Sequence, residues 1–531
     1  MEVYDDKIAR VAKYIESKAK AKSCFTRHDI EKWKLEAAEK FKLDRLPTNV
    51  EIRRYVTYKP LKDILRLKPV RSISGIVIVA IMSYPFECPH GRCIYCPHYP
   101  GAPISYTGKE PSSMRGIAHN FDPYLQVKSR VEQLEAMGHS TDKIELIIQG
   151  GTFNATPSWY REWYMRRLLE FFIGYYPEDF AKGLRDAERS RYRITGLTFE
   201  TRPDACSEED IDWMLEHGGT RVEIGVQTIY DDVFKFVNRG HYIRDVVEAT
   251  RRLRDAGFKV TYHIMPGLPK TTIRDDIQIF DKIFSSVNYL PDHLKIYPTL
   301  VLEHTGLIKL WKRGLYKPLN NLDAINLISI VKGNFIPPWN RIMRVNRDIP
   351  SFEIIDGVNK PNLRQMIKNE LKARGLRCRC IRCREVGHRT LFEGVEIYEP
   401  EVIIRKYNAD DGLEFFISVE DPYNDIILGF LRLRRPSRYA WRPEIINSES
   451  YIVRELHVYG VSIPIGQPVP ESTKYIWQHR GLGSLLLKTA EDIVSSMGGE
   501  KILVISGVGV REYYYKRGYT LDGPYVSKYI S

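Results

Sequence analysis

Between Gly75 and Tyr297 six short apolar runs, Gly75–Met82, Ile144–Gln149, Ile194–Glu200, Arg221–Gln227, Val260–Met265 and His293–Tyr297, alternate with segments whose apolar residues recur every three or four positions. Val127–Met137, Glu208–His217, Ile243–Ala256 and Thr272–Phe284 show that helical spacing. Buried strands read as short apolar runs and amphipathic helices as stripes of period 3.6, so the alternation predicts six βα units. Right-handed crossovers then build a parallel sheet that curls into a full or partial barrel. Such a sheet binds ligands at the C-terminal ends of its strands. There the sequence offers Cys88, Gly150-Gly151-Thr152, Glu200 with Arg202, Gln227 and Met265-Pro266-Gly267.

The pattern then changes twice. Residues 301–391 read as helices and irregular connections ending in the basic stretch RGLRCRCIRCREVGHR. From about Phe392 come antiparallel-type strands, Val402–Tyr407, Glu414–Glu420, Ile426–Arg434 and Tyr451–Val461, followed by a helix at Leu482–Val494 and a strand at Ile502–Ser506. The expectation is an α/β multidomain chain. It has a small helical basic region (1–70), a partial βα barrel (71–300), a linker (301–391) and a C-terminal α+β domain (392–531).

Composition fits several packed cores: of 531 residues 43% are hydrophobic and 28% charged, too apolar for wholesale disorder. The longest apolar stretch, Ile76–Met82, is far short of a membrane helix, and the N-terminus lacks a secretory h-region, so the expected location is cytoplasmic. The net charge of +13 is uneven: residues 1–70 hold 18 basic and 11 acidic side chains. Lys13, Lys18, Lys20, Lys22, Arg27, Lys32 and Lys34 suggest a folded basic surface. Its partner would be a polyanion, the alternative being a solvated face that binds nothing.

Six of the eight cysteines fall into two tight triplets, a spacing that suits metals better than disulfides. Cys88, Cys93 and Cys96 form CPHGRCIYC after the first strand. Three thiolates can hold three corners of a [4Fe–4S] cube and leave one iron for an outside ligand. S-adenosyl-L-methionine can take that position through its amino and carboxylate groups; structural zinc is the alternative on spacing alone. Gly150 and Gly151 would let backbone carbonyls approach the methionyl amine. Cys378, Cys380 and Cys383 supply three soft ligands, with His388 a candidate fourth for zinc, or they are free thiols in a basic segment. Glu200, Arg202, Glu223 and Gln227 suit the ribose and methionyl parts of S-adenosylmethionine, and they suit a structural polar network equally.

The cysteine loop after the first strand of a βα barrel resembles the radical S-adenosylmethionine superfamily. In the C-terminal half Gln478-His479-Arg480-Gly481-Leu482-Gly483 is the Q-x-x-G-x-G pattern of GNAT acetyltransferases, where glycines and helix N-terminal N–H groups receive a pyrophosphate. SGIVIVAIMS, SYTGKEPSSMRGIAHNFDPYLQ, GHSTDKIELIIQGGTF, TFETRPD, VEIGVQTIYDDV, MPGLP and LKIYPTLV, with RELHVYG and GVGVREYYYKRGY, are similar to the catalytic-subunit family of Elongator from about residue 68 to the end.

That resemblance implies that Glu455, Leu456, His457 and Val458, with Leu482, Gly483 and Ser484, contact acetyl-CoA. It places Tyr514 near the thioester sulfur and lets Lys143 reach the coenzyme from the barrel. A buried or exposed role without function is open for both, Tyr514 as core packing and Lys143 as an ordinary surface lysine. The implied function is tRNA carboxymethyluridine synthesis at C5 of the wobble uridine, with acetyl-CoA as carbon source and a 5′-deoxyadenosyl radical as initiator. Implied partners are the tRNA anticodon stem-loop, an electron donor and accessory Elongator-type subunits. The rivals are a protein (histone) lysine acetyltransferase and a non-catalytic tRNA-binding scaffold.

Overall fold

A computed structural model describes residues 2–43, 45–67, 75–460 and 481–530. Four helices come first: α1 (Glu2–Ala21), α2 (Arg27–Lys40), α3 (Asn49–Tyr55) and α4 (Lys59–Ile64). Thr26 and Thr48 start α2 and α3 with reciprocal capping boxes to Asp29 and Glu51. Val11, Ile15, Ile30, Trp33, Ile52 and Leu61 make a core of their own. Lys13, Lys18, Lys20, Lys22, Arg27 and Lys32 are exposed, but Lys34 is not part of that surface: it is buried, with its ammonium on Glu31 and Asn49.

The barrel sheet has strands β1 (Ile76–Met82), β2 (Lys143–Gln149), β3 (Arg193–Thr201), β4 (Arg221–Gln227), β5 (Lys259–Ile264), β6 (His293–Ile296) and β7 (Arg341–Val345), all parallel and in sequential order. The seventh strand lies in the segment expected to be linker. RIMRV escapes a search for apolar runs because Arg341 and Arg344 alternate with buried Ile342 and Val345.

Ile144, Leu146, Ile148, Leu197, Phe199, Val222, Ile224, Val260, Tyr262, Leu294 and Ile296 belong to the core between sheet and helices. The alternate residues face inward.

The C-terminal sheet runs β8 (Glu401–Ala409), β9 (Gly412–Asp421), β10 (Ile426–Arg435), β11 (Ser450–Val458), β12 (Lys501–Val504), β13 (Thr520–Asp522) and β14 (Tyr525–Tyr529), in the order β8-β9-β10-β11-β12-β14-β13. It is antiparallel except for β11 with β12. The helix Leu482–Ser496 packs on it through Leu486, Leu487, Ala490 and Val494. This domain closes the N-terminal end of the barrel. Arg454 meets Asp292 just ahead of β6, and Arg434 meets Asp255 ahead of β5. Tyr525 donates to the Ala256 carbonyl, and Arg341 at the start of β7 donates to Tyr459. At Gly507 a Cβ would stand 2.3 Å from the Thr195 carbonyl, so only glycine lets this turn lie against β3.

No helix among the described residues is long and apolar enough to cross a membrane.

Candidate functional site

At the C-terminal ends of the strands a cavity of about 310 Å3 is lined by Cys88, Cys93, Cys96, Gly151, Glu200, Arg202, Gln227, His263, Lys295 and Tyr297, among others. The cysteine loop is pinned by backbone bonds from Ile94 to Val237 and from Leu307 to Ile94, and by the Asn238 amide on the Arg92 carbonyl. All three cysteines line the cavity, but among the described residues only the second triplet has its sulfurs gathered within 4.8 Å of one another. Burial pushes the Cys88 thiol up and the Cys96 thiol up to about 12, so neither would ionise without a metal. Arg239, buried and 3.8 Å from the Cys93 sulfur, supplies a cation, and the His90 ring lies 3.3 Å from the same sulfur. Three thiols beside a fixed guanidinium fit an anionic thiolate-bound cluster.

The other expected cavity residues fall around it. Gly150 and Gly151 have φ of 120° and 102°, and a Cβ on Gly150 would meet the Ser83 hydroxyl at 2.7 Å. Gln227 itself has φ 70°, and its Oε1 is buried without a hydrogen-bond partner, as is the Thr201 hydroxyl. Glu200 accepts from Tyr106 at 3.2 Å. Below them Glu223 holds the Lys295 ammonium and the His263 ring. Burial alone would raise the Glu223 carboxyl, but Lys295 and His263 pull it well below the usual carboxylate range. Arg202 is turned to Asp204 and His90. Arg347 reaches the Ser105 carbonyl at the rim, a residue the apolar-run reading could not find because it follows the unrecognised β7.

At the opposite end, β11 pairs with β12 only over Ser450–Val453. After a bulge at Arg454, Glu455–Val458 stays on β10 alone, and β11 and β12 diverge into a wedge. Glu455 bonds Arg432 at 2.9 Å and lies 3.6 Å from His293 of the barrel. The His457 ring lies 4.3 Å from that of Tyr459, tilted by 40°, and Leu456 and Val458 lean on the domain core. Gly481, at φ 83°, starts the helix Leu482–Ser496 with no side-chain cap, so the N–H groups of Leu482, Gly483 and Ser484 have no intrahelical acceptor. Gln478 lies outside the described residues.

The Tyr513 hydroxyl, buried without a hydrogen-bond partner, points at Gly483, where a Cβ would stand 2.6 Å from it. Tyr514 sits beside it in the core, and burial raises its phenol above the ordinary value. Lys143, the first residue of β2, is half-buried on the inner face of the sheet at the end the C-terminal domain covers.

Cys378, Cys380 and Cys383 hold their sulfurs within 4.8 Å of one another. Zinc with Zn–S bonds of about 2.3 Å and tetrahedral angles needs thiolates about 3.8 Å apart, so the triplet fits a single ion. His388 is not gathered with them: its Nε2 is 3.2 Å from Glu385, an ion-pair contact that turns it away. The buried Lys332 ammonium stands 3.8 Å from the Cys383 sulfur instead.

The chain is similar to known proteins along most of its length. The Radical SAM superfamily profile matches residues 83–283, and that of the Radical_SAM C-terminal domain matches residues 291–373. A tRNA uridine(34) acetyltransferase of Methanocaldococcus jannaschii is 46% identical over 495 residues, 91% of this chain and 90% of that protein. Elongator complex protein 3 of Homo sapiens is 43% identical over 516 residues, 94% and 93% of the two chains. The solved structure of the archaeal Methanocaldococcus infernus Elp3 with an N-terminal deletion (1–46) superimposes with a TM-score of 0.76 at 42% identity, covering 86% of this chain and 100% of that one.

Proposed function

Since the chain belongs to the Elongator complex protein 3 family, we propose that it modifies C5 of the wobble uridine of tRNA and draws the added carbons from acetyl-CoA. Support comes from one arrangement above all: a cysteine-lined cavity and a splayed strand with a free helix N-terminus occupy the two ends of the same parallel sheet.

Cys88, Cys93 and Cys96 would hold a [4Fe–4S] cluster, with Arg239 balancing its charge. When bound, the cluster supplies the electron that cleaves S-adenosylmethionine to a 5′-deoxyadenosyl radical. Gly150 and Gly151 keep the backbone bare beside the cluster, and Glu200 and the unpartnered Gln227 amide oxygen accept hydrogen bonds from the nucleoside and methionyl groups. At the other end Leu482, Gly483 and Ser484 present N–H groups to the pyrophosphate, and Glu455–Val458 offers its open edge to the pantetheine. Burial keeps the Tyr514 phenol protonated, so it can donate to a departing thiolate, and Tyr513 shares that corner. Lys143 meets the coenzyme from the barrel side. The second cysteine triplet holds a structural zinc, and the basic helices α1 and α2 take tRNA phosphates.

The test is mass spectrometry of nucleosides from tRNA incubated anaerobically with iron-reconstituted protein, dithionite, S-adenosylmethionine and methyl-labelled acetyl-CoA. Labelled carboxymethyluridine that disappears in Cys93→Ser supports the proposal. Lysine acetylation of added histones that is independent of S-adenosylmethionine, with no modified uridine, would replace it by the acetyltransferase reading.

A further inference from the structure

The two ends of the sheet are far apart for a single reaction. Lys143 and Gln149 stand at opposite ends of the seven-residue β2, and its six steps of about 3.3 Å put roughly 20 Å between the floor and the cavity. The space between them is the inner face of the sheet, and its composition is unusual. Barrel interiors are ordinarily filled by Val, Ile and Leu. Here the register brings Glu145 beside Gly196, Thr198 beside Arg221, Glu223 beside Thr261, and Thr261 beside His293.

Apart from the half-buried Glu145 these side chains are buried, yet some of their atoms have no hydrogen-bond partner among the described residues. Thr198 Oγ1 and Arg221 Nη2 have none, while Arg221 Nε and Glu223 Oε1 face each other at 3.7 Å and His293 Nε2 faces Glu455 at 3.6 Å, ion-pair contacts too long for hydrogen bonds. Buried polar atoms are rarely left so unless a water or ligand serves them, because an unmade hydrogen bond in the interior forfeits the group's solvation. The Arg221 Nη1 is fixed on Glu145 at 2.6 Å and its Nε faces Glu223 at 3.7 Å, which leaves Nη2 to meet a carbonyl or carboxylate. The face is continuous with both sites: His293 stands 3.6 Å from Glu455 of the splayed strand, and Glu223 carries the Lys295 that lines the cavity. Nor is it sealed. Ile78, on the inner side of β1, is 48% exposed.

We propose that this polar inner face is the passage by which the two-carbon unit of acetyl-CoA travels from the coenzyme wedge to the cysteine-lined cavity, with Arg221 and Thr198 as its midway binding point. The inference rests on the function proposed above. The unit moves in one of two forms with the same oxygen chemistry. As a thioester on the pantetheine arm, no bond is broken on the way. As acetate, water has already cleaved the C–S bond, its oxygen going to the acyl carbon and its protons to the CoA thiol and solvent.

The experiment narrows the passage without touching either end, using full-length reconstituted protein with Thr198→Leu, Thr261→Leu and the conservative Thr198→Ser. Three quantities are read together: CoA released from acetyl-CoA, 5′-deoxyadenosine released from S-adenosylmethionine, and modified uridine. The expected result is a rise of at least tenfold in deoxyadenosine per modified uridine in both leucine variants, with CoA release within twofold of the parent and a parental ratio in Thr198→Ser. A ratio is insensitive to the fraction of protein that folds. An unchanged ratio in the leucine variants overturns the passage, even if total product falls. Should the parent protein itself yield deoxyadenosine and CoA but no modified uridine, the proposed function fails rather than the passage alone. Unlabelled acetate added beside labelled acetyl-CoA separates the two forms: dilution of label in the product assigns acetate, and undiluted label the thioester.

Discussion

The guanidinium of Arg454 grips the carboxylate of Asp292 with two hydrogen bonds of 2.7 Å, across the boundary between the C-terminal sheet and the barrel. Both side chains are fully buried, and Arg454 also bonds Glu414 and the Phe258 carbonyl. Removing one partner of such a set leaves buried charge uncompensated, which costs about 3–5 kcal/mol. Arg454→Met should therefore lower the urea midpoint well below that of the parent, while a double change with Asp292→Asn should recover part of the loss. Equal midpoints for parent and single variant would show that the pair adds nothing.

Gly507 makes a sharper steric prediction. With a Cβ 2.3 Å from the Thr195 carbonyl, Gly507→Ala forces the turn off β3 at a cost of about 1–3 kcal/mol, and Gly507→Val costs more. Melting temperatures should fall in that order; Gly498→Ala, with nothing within 4 Å, serves as the comparison for open space despite its positive φ.

Asp276 gives a pH dependence. It accepts from the Gly267 N–H at 2.7 Å in a buried site, and burial pushes its carboxyl up to about 7 although that bond opposes the shift. A carboxyl raised in the folded chain holds its proton more tightly there than when unfolded. Its contribution is complete below about pH 4 and is lost as pH rises through 7. The melting temperature of the parent should drop more between pH 5 and pH 8 than that of Asp276→Asn, whose amide oxygen keeps the bond. Parallel curves for the two proteins would contradict the assignment.

Metal content separates the two triplets. Cys380→Ser should lose zinc and keep iron after reconstitution, and Cys93→Ser should do the reverse, both read by elemental analysis. Zinc that survives in Cys380→Ser would refute the linker site.

For tRNA, each phosphate neutralised gives a slope of about −0.9 in log affinity against log salt on duplex regions and about −0.7 on single strands. Charge reversal at Lys13, Lys20 and Lys32, all exposed on α1 and α2, should weaken binding and flatten that slope. An unaltered slope would take the basic helices out of the interface.

Much of this was legible in the chain. Apolar runs located six strands of the barrel, because their outward residues face helices and are Val, Ile, Leu or Phe apart from Tyr262. The cysteine loop and Gly150-Gly151 announced the cavity by spacing and by glycine at the end of a strand. What stayed hidden shares one cause, polarity on a buried face. β7 alternates arginine with aliphatics, and Thr198, Arg221 and His293 look like surface residues until the register turns them inward. Lys34 looked exposed for the opposite reason, since its counter-groups Glu31 and Asn49 come together only in three dimensions. His388, close in sequence to the second triplet, is turned by Glu385, and no spacing rule registers such a competitor.

The ion pairs that seat the C-terminal sheet under the barrel have a consequence for how the molecule comes apart. Asp255 and Asp292 have their arginines on the far side of the boundary, and Arg254 has Asp410 there. Neither half can melt while the other stays whole without stranding these charges in a dry interface. Scanning calorimetry should register barrel and C-terminal sheet as one endotherm, and the α1–α4 bundle, with a separate core, as the part free to leave it early.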